Sequence, residues 1–221
     1  MITVYYVKVD ENSVSGFLSF AKKHRLVDAL EKYYSCKNPF SAWQSLVGEV
    51  MVREICFRDT SIHFADQQYY SNEYGKPFLK SSVNWFFNKS HTKNVIVVAV
   101  SDNDIGVDVE FIRSARMNVA NRYFSADEIE LLENASSPES RNQLFYQLWT
   151  LKEAYLKFLG TGISYGLSCF TITKQDNGMF SVHDDKGPSC HLELFTLPDL
   201  LQVAVCSSVV QKMKIMEFQF T

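Results

Sequence analysis

The chain has 221 residues, 46% of them apolar, enough to bury a sizeable core as one large domain or two small ones. A formal charge of -3, with lysine and arginine scattered and no basic block, gives no electrostatic reason to expect nucleic acid, so any bound anion must be held by a local site. Five cysteines without a C-x-x-C pair indicate neither a disulfide framework nor a zinc knuckle; with no signal-type N-terminus and no run of roughly 18 to 20 apolar residues, the expected setting is cytoplasmic, with no membrane partner.

The opening I-T-V-Y-Y-V-K-V is β-branched and aromatic, which predicts a strand. Apolar positions at mixed three and four spacing then predict one helix over 13–35 (Phe17, Phe20, Leu26, Leu30, Tyr33) and another over 41–57 (Leu46, Val50, Ile55). They divide near Asn38-Pro39, because a residue before proline leaves the helical region. Residues 62–109 read as short strands and turns, with Y-G-K-P at 74–77 the clearest turn. Val95 to Val100 is an unbroken apolar run, Ser101 to Asp104 a polar turn and Ile105 to Ile112 a second strand, so 95–112 is expected to form a hairpin.

Ser125 followed three residues later by Glu128 is a capping box that opens a short helix ending by Asn134. A long helix follows, from Pro138 or Ser140 to Phe158, closed by Gly160. Beyond Leu167 the chain returns to strands: F-T-I-T, M-F-S-V-H, H-L-E-L-F, L-Q-V-A-V and M-E-F-Q-F. This order predicts an α+β fold of two halves, 1–103 and 104–221, joined near 102–105, although no residue-level repeat between them is visible.

In G-V-D-V-E, Asp108 and Glu110 lie two apart in a predicted strand and so leave the same face. Two adjacent carboxylates repel; solvent relieves this, or a hard divalent cation such as Mg²⁺. In W-T-L-K-E-A-Y-L-K, Glu153 and Lys157 stand at i and i+4 on one helix face. Leu148, Leu151, Ala154, Tyr155 and Phe158 occupy much of the rest of that helix, so the charged face should point at something beyond solvent. Packed beside the strand, it would bring three carboxylates and a lysine together, an arrangement suited to a metal-bound diphosphate.

G-V-D-V-E and W-x-x-K-E-A-x-x-K, about 40 residues apart, resemble the signature of the 4'-phosphopantetheinyl transferases. E-Y-G-K-P (73–77) and F-N-K-S-H (87–91) resemble the same family in the same order, and the length resembles its long, surfactin-synthetase-activating type. The resemblance implies a monomeric pseudo-dimer of two similar α/β halves with the coenzyme A site between them. It implies a Mg²⁺-dependent enzyme that moves 4'-phosphopantetheine from coenzyme A to a serine of an apo acyl or peptidyl carrier protein and releases 3',5'-ADP. A silent coenzyme A-binding module and an unrelated phosphohydrolase are the other readings.

By the same resemblance, Asp108, Glu110 and Glu153 hold Mg²⁺ on the diphosphate, and Lys157 contacts that group. His91 and Lys76, with Ser90 beside them, lie at the 3'-phosphate, while Tyr74 and Gly75 lie near the adenine. The catalytic pair is Glu153 and Lys157, and whether Glu153 or a metal-bound water is the general base stays open. Trp43-Gln44 stands where relatives often carry a basic residue; Lys32 or Lys37 could compensate, and Arg53 reads as structural. Met117, Val119, Tyr123 and Phe124 are candidates for a carrier surface made locally basic by Arg113, Arg116 and Arg122, with core packing the preferred reading of Tyr123 and Phe124.

Overall fold

The computed structural model describes residues 1–175 and 178–220. They form two compact units. The first contains Met1–Ser71, Pro77–Asp102 and the tail from Gln211; the second contains Asn72–Lys76 and Asn103–Val210. The chain crosses from one unit to the other at residues 102–103, and two further segments are exchanged. Asn72–Lys76 belongs with the second unit and the tail with the first, where a simple cut would place each on the other side.

In the first unit, β1 (Ile2–Lys8) pairs antiparallel with β5 (Val95–Ser101), which pairs with β4 (Phe86–Thr92). The tail strand β11 (Met213–Glu217) adds parallel to β1, giving the order β11-β1-β5-β4. β2 (Tyr69–Ser71) and β3 (Pro77–Leu79) form a small ladder of their own. Three helices accompany the sheet, α1 (Glu11–Lys23), α2 (Val27–Ser35) and α3 (Pro39–Thr60). The single helix expected over 13–35 is therefore two. Arg25 takes the left-handed conformation at φ 54°, which a continuous right-handed helix cannot hold.

In the second unit, β6 (Ile105–Phe111), β10 (Leu201–Ser207), β9 (His191–Leu197), β8 (Phe180–His183) and β7 (Thr171–Lys174) form one antiparallel sheet in that order. α4 (Met117–Tyr123), α5 (Ala126–Glu133) and α6 (Pro138–Leu159) complete it. The hairpin expected over 95–112 does not form, since β5 pairs with β1 and β4 and β6 pairs with β10. The tight turn is instead Lys93-Asn94, between β4 and β5, with Lys93 at φ 46°. Asp102 is held by the Met1 amino group and the Gln211 amide, so β5 ends against its own unit.

The two units repeat one construction. α3 and α6 each run 22 residues, each opens on a side-chain cap (Asn38, Ser137) followed by proline, and each ends in a left-handed residue (Ser61, Gly160). Each unit has its own apolar core, with Val50, Met51 and Ile55 of α3 in one and Leu151, Tyr155 and Phe158 of α6 in the other. The resemblance between halves is one of caps, lengths and packing, which a residue-by-residue comparison misses.

Candidate active site

Strand β6 supplies the acids. Alternation puts Gly106, Asp108 and Glu110 on one face, and that face meets α6. The contact is possible because position 106 has no side chain: a Cβ there would collide with the Ala154 carbonyl oxygen and the Phe158 amide nitrogen. With the backbones this close, the Lys157 ammonium lies 2.7 Å from Asp108 Oδ1.

From Leu148 to Leu159 only Trp149, Glu153, Lys157 and Leu159 are not buried, so the helix does reserve one open stripe for its charged pair. Glu153 is half-buried, and its carboxyl is pushed up to about 7 by burial and by Asp108, against the opposing pull of Lys157, with Glu110 adding to the rise. Both strand acids therefore stand near enough to Glu153 to oppose its ionisation. Glu110 also takes an ion pair from Arg113 at 3.3 Å.

Among the described residues no group of three or more His, Cys, Asp or Glu side chains is placed so that it could hold a metal ion as it stands. What α6 and β6 offer is an open set of oxygen donors with a lysine beside it, the chemistry that suits a small hard cation completed by a substrate's phosphate oxygens. A cation there would offset both the burial and the Asp108 charge that raise the Glu153 carboxyl.

The Asn72–Lys76 turn lies at the C-terminal end of α6. Tyr74 is 51% exposed and lines a pocket of about 520 Å³ with Thr161, Tyr165 and Asp184, while Gly75 sits at φ 89°, a conformation for which glycine is the natural residue. Lys76 differs from expectation. Its ammonium is buried and donates to the Phe158 carbonyl at 2.8 Å, with Asp104 at 3.7 Å, and burial pushes its pKa below the ordinary value while Asp104 partly offsets this.

Ser90 and His91 belong to the first unit. With Ser41, Ser45 and Gln44 from α3 and with Lys89 they line a pocket of about 230 Å³. Three hydroxyls, an imidazole and an ammonium suit an anion. Glu49 lies 3.3 Å from Lys89 and 3.0 Å from Arg53; burial opposes its charge, but the two cations hold the carboxyl below its usual range. Arg53 also donates to the Gln67 carbonyl and is structural, as expected. Gln44 donates to the Lys93 carbonyl at 2.7 Å, so it braces the tight turn, while Lys32 and Lys37 are exposed. Ser41, Ser45 and Lys89 were not singled out in the sequence. Ser41 and Ser45 do stand four apart near the α3 N-terminus, a signal that was available.

Lys152 was also passed over. It is fully buried, with its ammonium 2.9 Å from Glu128 and donating to the Leu167 and Phe170 carbonyls at 2.8 and 2.7 Å. Of the proposed carrier surface, Phe124 is 4% exposed and stacks on Phe145, which is core packing. Met117, Val119 and Tyr123 are half-buried, and Arg113, Arg116 and Arg122 are exposed.

Residues 104–206 match the model of the 4'-phosphopantetheinyl transferase superfamily. The chain is 34% identical to the 4'-phosphopantetheinyl transferase psf-1 of Bacillus pumilus, over 86% of this chain and 79% of the relative. It is 30% identical to the 4'-phosphopantetheinyl transferase gsp of Aneurinibacillus migulanus, over 94% and 85%. A solved holo-(acyl-carrier-protein) synthase from Bacillus anthracis, in complex with CoA (3',5'-ADP), is similar over 47% of this chain and 92% of its own, at 18% identity and a TM-score of 0.41.

Proposed function

Since the chain belongs to the 4'-phosphopantetheinyl transferase superfamily, we propose that each of its two charged sites has the chemistry of one phosphate group of coenzyme A. The enzyme transfers 4'-phosphopantetheine from coenzyme A to a serine of an apo carrier protein, giving the holo carrier and 3',5'-ADP. The observation that carries the reading is the convergence of Asp108, Glu110, Glu153 and Lys157 where β6 meets α6. We assign the diphosphate to that cluster and the 3'-phosphate to the pocket of Ser90 and His91, with Lys89, while Tyr74 and Gly75 border the adenine.

Asp108, Glu110 and Glu153 would hold Mg²⁺, which when bound supplies neutralisation of charge on the diphosphate. Lys157 contributes a fixed positive charge to the same oxygens. Glu153, on the open stripe of α6, takes the proton of the attacking serine hydroxyl. Exposed Arg113, Arg116 and Arg122, with half-buried Met117 and Val119 between them, offer a basic and partly apolar surface that suits the acidic helices of a carrier. No helix of the described residues is long and apolar enough to cross a membrane. We place the protein in the cytoplasm, where coenzyme A and carriers meet, and read it as a monomer, since one chain already holds both units.

The direct test incubates several apo carrier proteins with coenzyme A, Mg²⁺ and the protein, followed by mass spectrometry. An increment of about 340 Da on a carrier serine is expected; its absence from every carrier overturns the enzyme reading. Glu153→Gln should abolish transfer while calorimetry still detects coenzyme A binding, and full activity in that variant would remove Glu153 from both of its roles.

A further inference from the structure

We propose that Lys76 is a positioning residue, whose ammonium closes the C-terminal end of α6 and thereby fixes the Asn72–Lys76 turn, and that it is not the group that binds the 3'-phosphate. The proposal rests on the coenzyme A reading above.

The last carbonyls of a helix have no partner within it and carry the negative end of its dipole. Here two of them are met from one short turn. The Lys76 ammonium donates to the Phe158 carbonyl at 2.8 Å, and the Asn72 side-chain amide donates to the Gly160 carbonyl at 2.8 Å. The turn is also tied to itself. Asn72 Oδ1 accepts from the Tyr74 and Lys76 amides at 3.1 and 2.9 Å, and the Asn72 and Lys76 backbones bond at 3.0 Å.

Gly160 shapes the slot. It holds φ 69°, and a Cβ there would stand 2.8 Å from Lys76 Cδ, so the lysine stem lies where any other residue would put its own side chain. The Lys76 side chain is 7% exposed, and Asp104, 3.7 Å away, balances its charge. A side chain that binds an incoming phosphate must be able to face it. To do so Lys76 would have to leave a carbonyl, a counter-ion and a buried slot together. Lys89 by contrast stands in a pocket with Ser90 and His91, and its side chain is 36% exposed.

If the ammonium holds the turn, its loss disturbs Tyr74 and Gly75 and weakens every adenosine donor alike. If it binds the 3'-phosphate, its loss weakens only donors that carry one. Transfer to an apo carrier is therefore measured with coenzyme A and with 3'-dephospho-coenzyme A. Lys76→Met is expected to raise KM for both by about tenfold, the loss of one hydrogen bond from a charged donor, and to leave their ratio as in the wild type. His91→Ala is expected to erase the preference for coenzyme A.

A Lys76→Met protein that loses the preference while keeping its KM for the dephospho donor overturns the proposal, and so does one with both KM values unchanged. Lys76→Arg decides the matter if the methionine variant fails to fold. It keeps the charge a phosphate needs but not the shape of the slot, so both KM values should rise; values like the wild type's overturn the cap. Wild-type protein inactive with both donors would instead refute the transferase reading.

Discussion

A methyl group on Gly106 has nowhere to go, because the Ala154 carbonyl and the Phe158 amide already occupy the space in front of it. The Lys157–Asp108 contact at 2.7 Å depends on that closeness. Gly106→Ala must therefore push β6 from α6, at a cost of about 3 kcal/mol for overpacking against backbone that cannot rotate away. Differential scanning calorimetry should show a melting temperature lower by roughly 6 to 12 °C. Transfer activity should fall further than stability alone explains, since the carboxylates separate from Lys157; a variant as stable and as active as the wild type would mean that the two backbones have room to spare. At this scale the sequence was readable where chemistry showed on the surface of the pattern, as with Asp108, Glu110, Glu153 and Lys157. Gly106 was in plain view within G-V-D-V-E, but its role depends on a helix 48 residues further on, which no local pattern reports.

Helix α6 is fixed on the side away from its open stripe by an ion pair with no solvent access. Lys152 and Glu128 are both 0% exposed and 2.9 Å apart. Glu128 also accepts from the Ser125 amide at the start of α5 and from the Ile172 amide of β7, so one carboxylate ties α5 and β7 to α6. Burial pushes the Lys152 pKa down, and Glu128 partly restores it. Removing one partner strands the other charge in the core, whereas removing both need not. Lys152→Met should lose about 3 to 5 kcal/mol in denaturant unfolding, and adding Glu128→Gln should recover much of that; a double variant no more stable than the single one would show that the carbonyl bonds to Leu167 and Phe170, not the pair, carry the stability. The sequence identified Glu128 by its capping box and stopped there, because a cap is a local signal and the ion pair is not. The hairpin expected over 95–112 failed for a related reason. Two apolar strands flanking a polar turn satisfy the local pattern, yet each found a longer ladder with strands distant in sequence.

At the scale of the molecule, the repeated 22-residue helix with its capped start and left-handed end is the trace of similar halves that residue identity does not reveal. The unit boundaries were less readable than the halves themselves, because the chain returns. β11 pairs with β1, a separation of about 211 residues (Ile2 with Met213), and Phe218 beyond it is 4% exposed against Phe17 of α1. Arg58 of α3 donates to the Gln219 carbonyl. The first unit therefore completes its sheet and its core only when residues 211–220 pack onto it, and contacts of such sequence separation slow folding. Deleting residues 211–221 leaves the second unit's segments whole but bares one edge of β1 and the ring of Phe17. Burying a single aromatic ring is worth about 2 to 3 kcal/mol, and the lost ladder adds to that. The truncated protein should lose protease resistance first within residues 1–70, with fragments of the second unit persisting longer, as mass spectrometry of timed digests would record. Cleavage that begins instead between 103 and 210 would mean that the tail supports the other unit, against the pairing of β11 with β1.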